Sequence, residues 1–408
     1  MKASKNAAVG FIFITMTIDV IGWGLIIPVM PSLITELKHI PLKETSRWGG
    51  YLIVAFSLMQ FAFSPLMGNL SDRYGRRPVI LLSLLVFCVD YLILALAHTY
   101  SLLMLGRLLA GMTGASFTAA TAYIADISTP ETRAKNFGLI GAAFGIGFII
   151  GPALGGILSV WGLRAPFYAA AVLCFINFLY GYFVLPESLK PENRRPFDWK
   201  KANPVGSLLH FKKYPAISGL VVAFIFFYLA GHAVQSNWNY FTMYRFNWTE
   251  QQVGWSLALV GLLVGAVQGG LIRIVNPWLG NARSAYTGIL LYAFGLLLFG
   301  LATQGWMMYA FLVPYCLGGI AGPALQAIIT ENVPANEQGQ LQGGLTSLMS
   351  LTSVVGPLVM TNLFFYSVSD DAPIHFPGAP FLLGALLMLI SAFIAKSFLK
   401  RKGHFDKR

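Results

Sequence analysis

Charge is what this sequence has least of: Asp, Glu, Lys and Arg make up 11% of its 408 residues, against 56% hydrophobic residues. A soluble domain carries about a quarter of its residues as charges, so most of this surface is not built to face water. Cysteine is scarce too. Cys88, Cys174 and Cys316 each fall inside an apolar run, which excludes a disulfide framework or a structural zinc site and leaves packing roles. The chain also lacks a His-Glu-x-x-His zinc motif, a Gly-x-Ser-x-Gly elbow and a phosphate-binding loop, so no enzyme activity, metal or cofactor is expected. Net charge is +12, but it sits in short basic loops without a basic and aromatic stripe, and nucleic acid is not an expected partner.

Long apolar runs, by contrast, recur along the whole length. Runs of about 18 to 25 residues match the hydrocarbon thickness of a bilayer, and lipid offers the backbone no hydrogen bonds, so each is predicted to be a helix. Twelve are predicted, centred near residues 18, 57, 88, 112, 148, 175, 223, 263, 293, 317, 350 and 388. The first begins near Ala7 without a small-residue cleavage site and is expected to be retained. The predicted class is therefore an all-α, multi-pass membrane protein whose partner is the lipid bilayer.

Only Lys38, Lys43, Arg47, Arg164 and Arg245 fall in loops opposite the termini, and Arg107 lies within a span; the rest of the 28 basic residues lie on the terminal side. Positive residues stay inside, so both termini are expected in the cytoplasm. The polar stretch Pro186 to Lys213 separates a six-helix half (1–186) from another (214–408), with a cytoplasmic linker over 187–213. The halves look duplicated. "AYIADISTPETRAKNFG" aligns with "AIITENVPANEQGQLQGG" at an offset of about 205 residues, placing Asp126 on Glu331, Pro130 on Pro334 and Gly138 on Gly343. Two repeats of the same orientation suit a transporter with its site between them near mid-bilayer.

Ionisable residues inside the spans are the candidate site. Asp19 lies about twelve residues into the first span, near mid-bilayer, where a charge costs about 2.5–3.5 kcal/mol and must face an interior cavity or be protonated. Asp90 is similar in the third span. Arg107 in the fourth cannot deprotonate and needs a partner: a structural ion pair, or a switchable pairing with Asp19 or an anionic substrate. Gly22 and Gly24 allow close packing, and Pro28 and Pro31 can bend the end of the first helix. The seventh span ends in "GHAVQSNWNYF", where His232, Gln235, Asn237 and Asn239 offer hydrogen bonds and Trp238 and Tyr240 aromatic surface. This is read as a cavity wall or as the outer interface. Gln60 and Gln326 are further cavity candidates. Asn247-Trp248-Thr249 fits a glycosylation sequon and is read as chance.

The loop "GNLSDRYGRRP" (Gly68 to Pro78), with "GRLLAGMTGA" in the fourth span and "GIGFIIGPALGG" in the fifth, resembles the signatures of the major facilitator superfamily. "DVIGWGLIIPVMP", "LMQFAFSPLMGNLSDRYGRRPVILLSLLVFCVDY" and "GGIAGPALQAIIT...QGQLQGGLTSL" are similar to its drug/proton antiporters of the tetracycline-efflux group. By position, Asp19, Asp90 and Arg107 match the group's first-helix acid, third-helix acid and fourth-helix arginine, and these three are the candidate proton-coupling residues. Gln60 and Gln268 match membrane glutamines of the group. Asp72, Arg73, Arg76, Arg77 and Asp126, with Gly68, Gly75, Gly151 and Pro152, match a conformational latch and its packing glycines. Val264 stands where that group carries a histidine, and Tyr292 where it carries an aspartate, so two titratable groups of the C-terminal half are gone.

The function implied is proton-coupled efflux of a small, partly hydrophobic compound by alternating access, from a monomer in the cell inner membrane. A proton-coupled importer of a nutrient or organic anion on the same fold is the alternative, and a membrane enzyme or sensor a more distant one.

Overall fold

The computed structural model describes residues 5–114, 116–196, 217–333 and 338–401. Among them the regular structure is helical throughout, with no strand. The helices are α1 (Lys5–Ile26), α2 (Met30–Lys38), α3 (Leu42–Tyr74), α4 (Arg76–Ala95), α5 (Tyr100–Thr113), α6 (Ser116–Ile127), α7 (Pro130–Leu158) and α8 (Ala165–Val184). They continue as α9 (Ser218–Phe246), α10 (Glu250–Ala266), α11 (Ile272–Leu301), α12 (Gly305–Leu317), α13 (Ala321–Glu331), α14 (Gln338–Val368) and α15 (Ala379–Arg401). Among the described residues ten helical stretches are long and apolar enough to cross a membrane, and Tyr100–Met112 is a shorter apolar helix.

Local chemistry sets the boundaries. Pro28 ends α1, because proline clashes with the preceding helical turn, and Pro31 then sits in the first turn of α2, where its missing N–H costs nothing. Thr99 caps α5 by accepting from the Leu102 N–H at 3.4 Å. Thr129 and Thr132 form a reciprocal capping box at the start of α7. The expected fourth span, centred near 112, is divided at Gly114 into α5 and α6. The expected eighth and ninth spans run together: the apolar stretch Glu250–Leu301 holds 52 residues and passes through a π-helical turn at Val267–Leu271. At about 1.5 Å per residue it is more than twice as long as a bilayer core is thick, and its helical path breaks at Gly280, where φ is 75°.

By contacts the chain divides into two units. Unit 1 comprises Met1–Ile40, Ala55–Asn203 and Thr249–Gly261; unit 2 comprises Pro41–Val54, Pro204–Trp248 and Leu262–Arg408. In unit 1, α1 packs most extensively on α7 and then on α8, which in turn packs on α4. The core joins Phe11, Ile12 and Met16 of α1 to Ile80 and Leu84 of α4, Tyr123 and Ile124 of α6, and Ala143 of α7. The α1–α7 contact is backbone against backbone. A Cβ on Gly24 would lie 2.8 Å from Pro152 Cδ, and one on Gly151 would lie 2.8 Å from the Ile21 carbonyl oxygen.

Unit 2 packs α9 against α14 and α15, and α11 against α12, α13 and α15. Leu220 and Phe224 of α9 share a core with Ala285 of α11, Leu325 and Ile328 of α13 and Leu341 and Leu345 of α14. A second layer is aromatic: Phe299 lies 5.1 Å from Trp238, 5.3 Å from Tyr315 and 5.9 Å from Phe381, ring centre to ring centre.

Candidate functional site

Unit 1 forms a partly open cavity of about 250 Å³ whose polar lining includes Asp19, Gln60 and Arg107. Its apolar wall is aromatic, from Trp23, Phe56, Phe87, Tyr91 and Phe144. Helical spacing builds this wall. Asp19 and Trp23, Phe56 and Gln60, and Phe87 and Tyr91 are each four residues apart, so each pair shares a helix face. The Asp19 carboxylate accepts from the Nδ2 amide of Asn177 on α8 at 3.3 Å, and the same amide donates to the Thr15 carbonyl at 3.1 Å. Gln60 ties α3 to the end of α5 by donating to the Gly114 carbonyl at 3.4 Å.

Arg107 finds its partner in Asp90. The two form a buried ion pair between α5 and α4, with Arg107 6% and Asp90 0% exposed. Gly106 makes the approach possible, since a Cβ there would lie 2.6 Å from Asp90 Oδ1. The pair is electrically neutral, so Asp19, half-buried, is the acid on the cavity wall without an opposite charge bonded to it. Neither Asp90 Oδ1 nor Arg107 Nε has a hydrogen-bond partner, which keeps the pair polar at its edges.

The basic loop forms a second site within unit 1. Arg76 is nearly buried and bonds two acids, Asp72 at 2.5 Å and Asp126 at 3.1 Å, while donating to the Ser71 hydroxyl at 2.6 Å. Ser188 donates to the same Asp126 oxygen at 3.0 Å. Glu187 caps the start of α4: its carboxylate accepts from the backbone N–H groups of Arg76 and Arg77 at 2.9 and 3.2 Å, where the helix dipole favours negative charge. Gly75 permits this, with φ 108° and its missing side chain leaving room for the Glu187 carboxylate. Arg77 donates to the Tyr182 carbonyl at 2.7 Å, and Arg73 lies exposed over the Tyr74 ring at 5.1 Å. A Cβ on Gly68 would meet only Thr118, at 3.8 Å.

The candidates in unit 2 do not converge on the cavity. His232, Asn237, Trp238 and Tyr240 are buried in packing. His232 lies against Gly356, Trp238 edge-on to Phe299, and the Tyr240 hydroxyl against Gly49. Asn237 turns inward, donating to the Ser236 hydroxyl at 3.2 Å. Gln326 bonds Gln342 at 2.8 Å, Asn239 is half-buried, and Gln235 and Gln268 are exposed. Tyr292 lies edge-on between Phe227 and Tyr315, at 5.5 and 4.8 Å. Lys43 and Asp370 form an exposed pair at 2.7 Å, and the ammonium holds the Asp370 carboxyl below the usual carboxylate range.

Asn177 and the aromatic lining are what sequence reasoning missed. Asn177 left a signal, as the one amide in the apolar run of α8, "APFYAAAVLCFINFLYGYFV".

The family model for the Major Facilitator Superfamily matches residues 12–283 and 233–408. Tetracycline resistance protein, class C, from Escherichia coli is 39% identical over 386 residues, covering 95% of this chain and 96% of that protein. Tetracycline resistance protein, class E, from the same organism is 38% identical over 395 residues, covering 96% and 95%. Among solved structures, the human organic anion transporter MFSD10 (TETRAN) superposes with a TM-score of 0.74 at 23% identity, covering 97% of this chain and 100% of that one, a likeness of fold. With its family model, its relatives and its helical architecture in agreement, this chain belongs to the Major Facilitator Superfamily of membrane transporters.

Proposed function

We propose that the protein exports a small, partly hydrophobic compound in exchange for protons, by alternating access in the cell inner membrane. The observation that carries this reading is Asp19, an acid without a bonded counter-charge on an aromatic-lined cavity inside an apolar helical unit. A carboxyl group there can hold a proton or substrate polarity, and the aromatic wall supplies flat apolar contact. Relatives named for tetracycline resistance support an amphiphilic, ring-containing substrate.

In the proposed cycle Asp19 is protonated from outside and loses its hold on the substrate; the proton then leaves to the cytoplasm and the ionised acid favours substrate again. A pH difference supplies about 1.36 kcal/mol per unit, and the membrane potential about 2.3 kcal/mol per charge per 100 mV. Val264 has no titratable group and Tyr292 carries a phenol rather than a carboxyl, so the reading assigns the proton to the N-terminal half alone. It also takes both termini as cytoplasmic, the chain as a monomer and the spans as twelve, counting Glu250–Leu301 as two and α5 with α6 as one.

The test is transport in proteoliposomes. A thermal-shift screen of tetracyclines, cationic dyes and metabolites selects the compound, and an imposed pH gradient drives it. Wild type should move the compound against its gradient, and Asp19→Asn, which mimics the protonated acid, should bind it more weakly and lose proton-driven movement. Unchanged coupled transport in Asp19→Asn would overturn the assignment.

A further inference from the structure

Asn177 is fully buried on α8, and its three polar contacts are unequal. One Nδ2 hydrogen goes to the Thr15 carbonyl and the other to Asp19 Oδ1, while its own Oδ1 has no partner at all. A buried acceptor left empty costs about 1–3 kcal/mol, so a side chain that pays this in one arrangement is suited to a second arrangement in which the acceptor is used. The Thr15 hydroxyl, one turn before Asp19, is also buried without a partner.

The contact to Asp19 depends on the proton. An ionised carboxylate only accepts, and the Nδ2 amide donates to it, as here. A protonated carboxyl can also donate, and the empty Oδ1 of the same amide is an acceptor beside it, presented by a half-turn of the amide about its last torsion. That turn withdraws Nδ2 from the Thr15 carbonyl, so the α1–α8 tie changes with the proton.

We propose that Asn177 is the positioning residue that reads the proton on Asp19, by exchanging the amide atom it presents to the carboxyl. This rests on Asp19 being the proton carrier.

The other groups facing Asp19 do not duplicate the role. Cys174 lies on α8 with Asn177, and Tyr91 on α4; both are close enough to feel the charge of Asp19, and Tyr91 also feels the Asp90–Arg107 pair. On α7, the most extensive neighbour of α1, no titratable side chain occurs from Asn136 to Leu158. On α6, Tyr123 donates to the Pro186 carbonyl and Asp126 is held by Arg76 and Ser188.

The experiment is an infrared pH titration of the purified protein in lipid, which needs no substrate. The carbonyl band of a protonated carboxyl is assigned to Asp19 by its loss in Asp19→Asn, and its midpoint is compared with Asn177→Leu and the smaller Asn177→Ser. Removing Asn177 takes a hydrogen bond from each form, but the one to the ionised carboxylate is the stronger, so the midpoint should move to higher pH, by about 0.5 to 1 unit. A midpoint equal to that of wild type in folded Asn177→Leu or Asn177→Ser, even with a lowered melting temperature, would overturn the role and leave Asn177 as packing. Persistence of every titrating band in Asp19→Asn would instead refute Asp19 as the carrier.

Discussion

Gly75 and Gly280 lie about 205 residues apart, and both take positive φ, 108° and 75°. In each, the next residue bonds an acid at the end of another helix of its own unit: Arg76 to Asp126 at 3.1 Å, and Asn281 to Glu331 at 2.9 Å. The backbone device is shared, but the bond is charge to charge in the first case and neutral amide to carboxylate in the second. The same offset carries Asp19 onto Phe224, Asp90 onto Gly295 and Arg107 onto Leu312. Phe224 lies in the core of unit 2 against Tyr228, 4.5 Å between rings, and Gly295 packs tightly against Tyr315. Among the described residues, the buried Arg and Asp side chains, Arg76, Asp90 and Arg107, all belong to unit 1. The two units thus share this backbone device, while the buried Asp and Arg side chains among the described residues lie in one of them.

Three pairs of variants test this contrast. The largest effect on stability is expected at Asp90→Asn, which strands the buried Arg107 charge and should cost about 3–5 kcal/mol by denaturant or thermal unfolding in detergent. Replacing both partners with Leu and Met should cost much less, and equal costs would mean the pair is not a unit. Next, Arg76→Ala should cost about 2–3 kcal/mol because it leaves Asp72 and Asp126 without their cation, against about 1 kcal/mol for Asn281→Ala. Equal losses would erase the distinction between the charged and neutral versions. The smallest pair is Gly75→Ala against Gly280→Ala. Both strain a positive φ, at about 1 kcal/mol, but a Cβ at position 75 also displaces the Glu187 cap, while one at 280 meets nothing within 4 Å. Gly75→Ala should therefore lower the melting temperature more.

Much of this fold was legible because lipid leaves so few options: an apolar run of bilayer length must be a helix, although Pro28, expected to bend the first helix, ends it instead. The run from Glu250 to Leu301 was less so, because Arg273 and Arg283 look like a loop in sequence while the backbone continues through a π-helical turn and breaks only at Gly280. In the site, Asp19, Gln60 and Arg107 stood out as polar residues in apolar spans and do line one cavity. Arg107 choosing Asp90 was not readable, since it depends on clearance at Gly106 between two helices. Asn177 is a lone amide in an apolar run and Asn237 sits in a polar stretch, yet the first reaches Asp19 and the second bonds Ser236 beside it; which way a side chain faces is settled by packing.

The most direct test is proton flux in proteoliposomes, reported by an entrapped pH dye when transported compound is added, with one titratable residue removed from each unit. Proton handling by the N-terminal unit alone predicts that Asp19→Asn abolishes compound-driven proton flux, while His232→Asn, in the other unit, retains it once corrected for folded protein. Flux that survives Asp19→Asn and disappears in folded His232→Asn would contradict it.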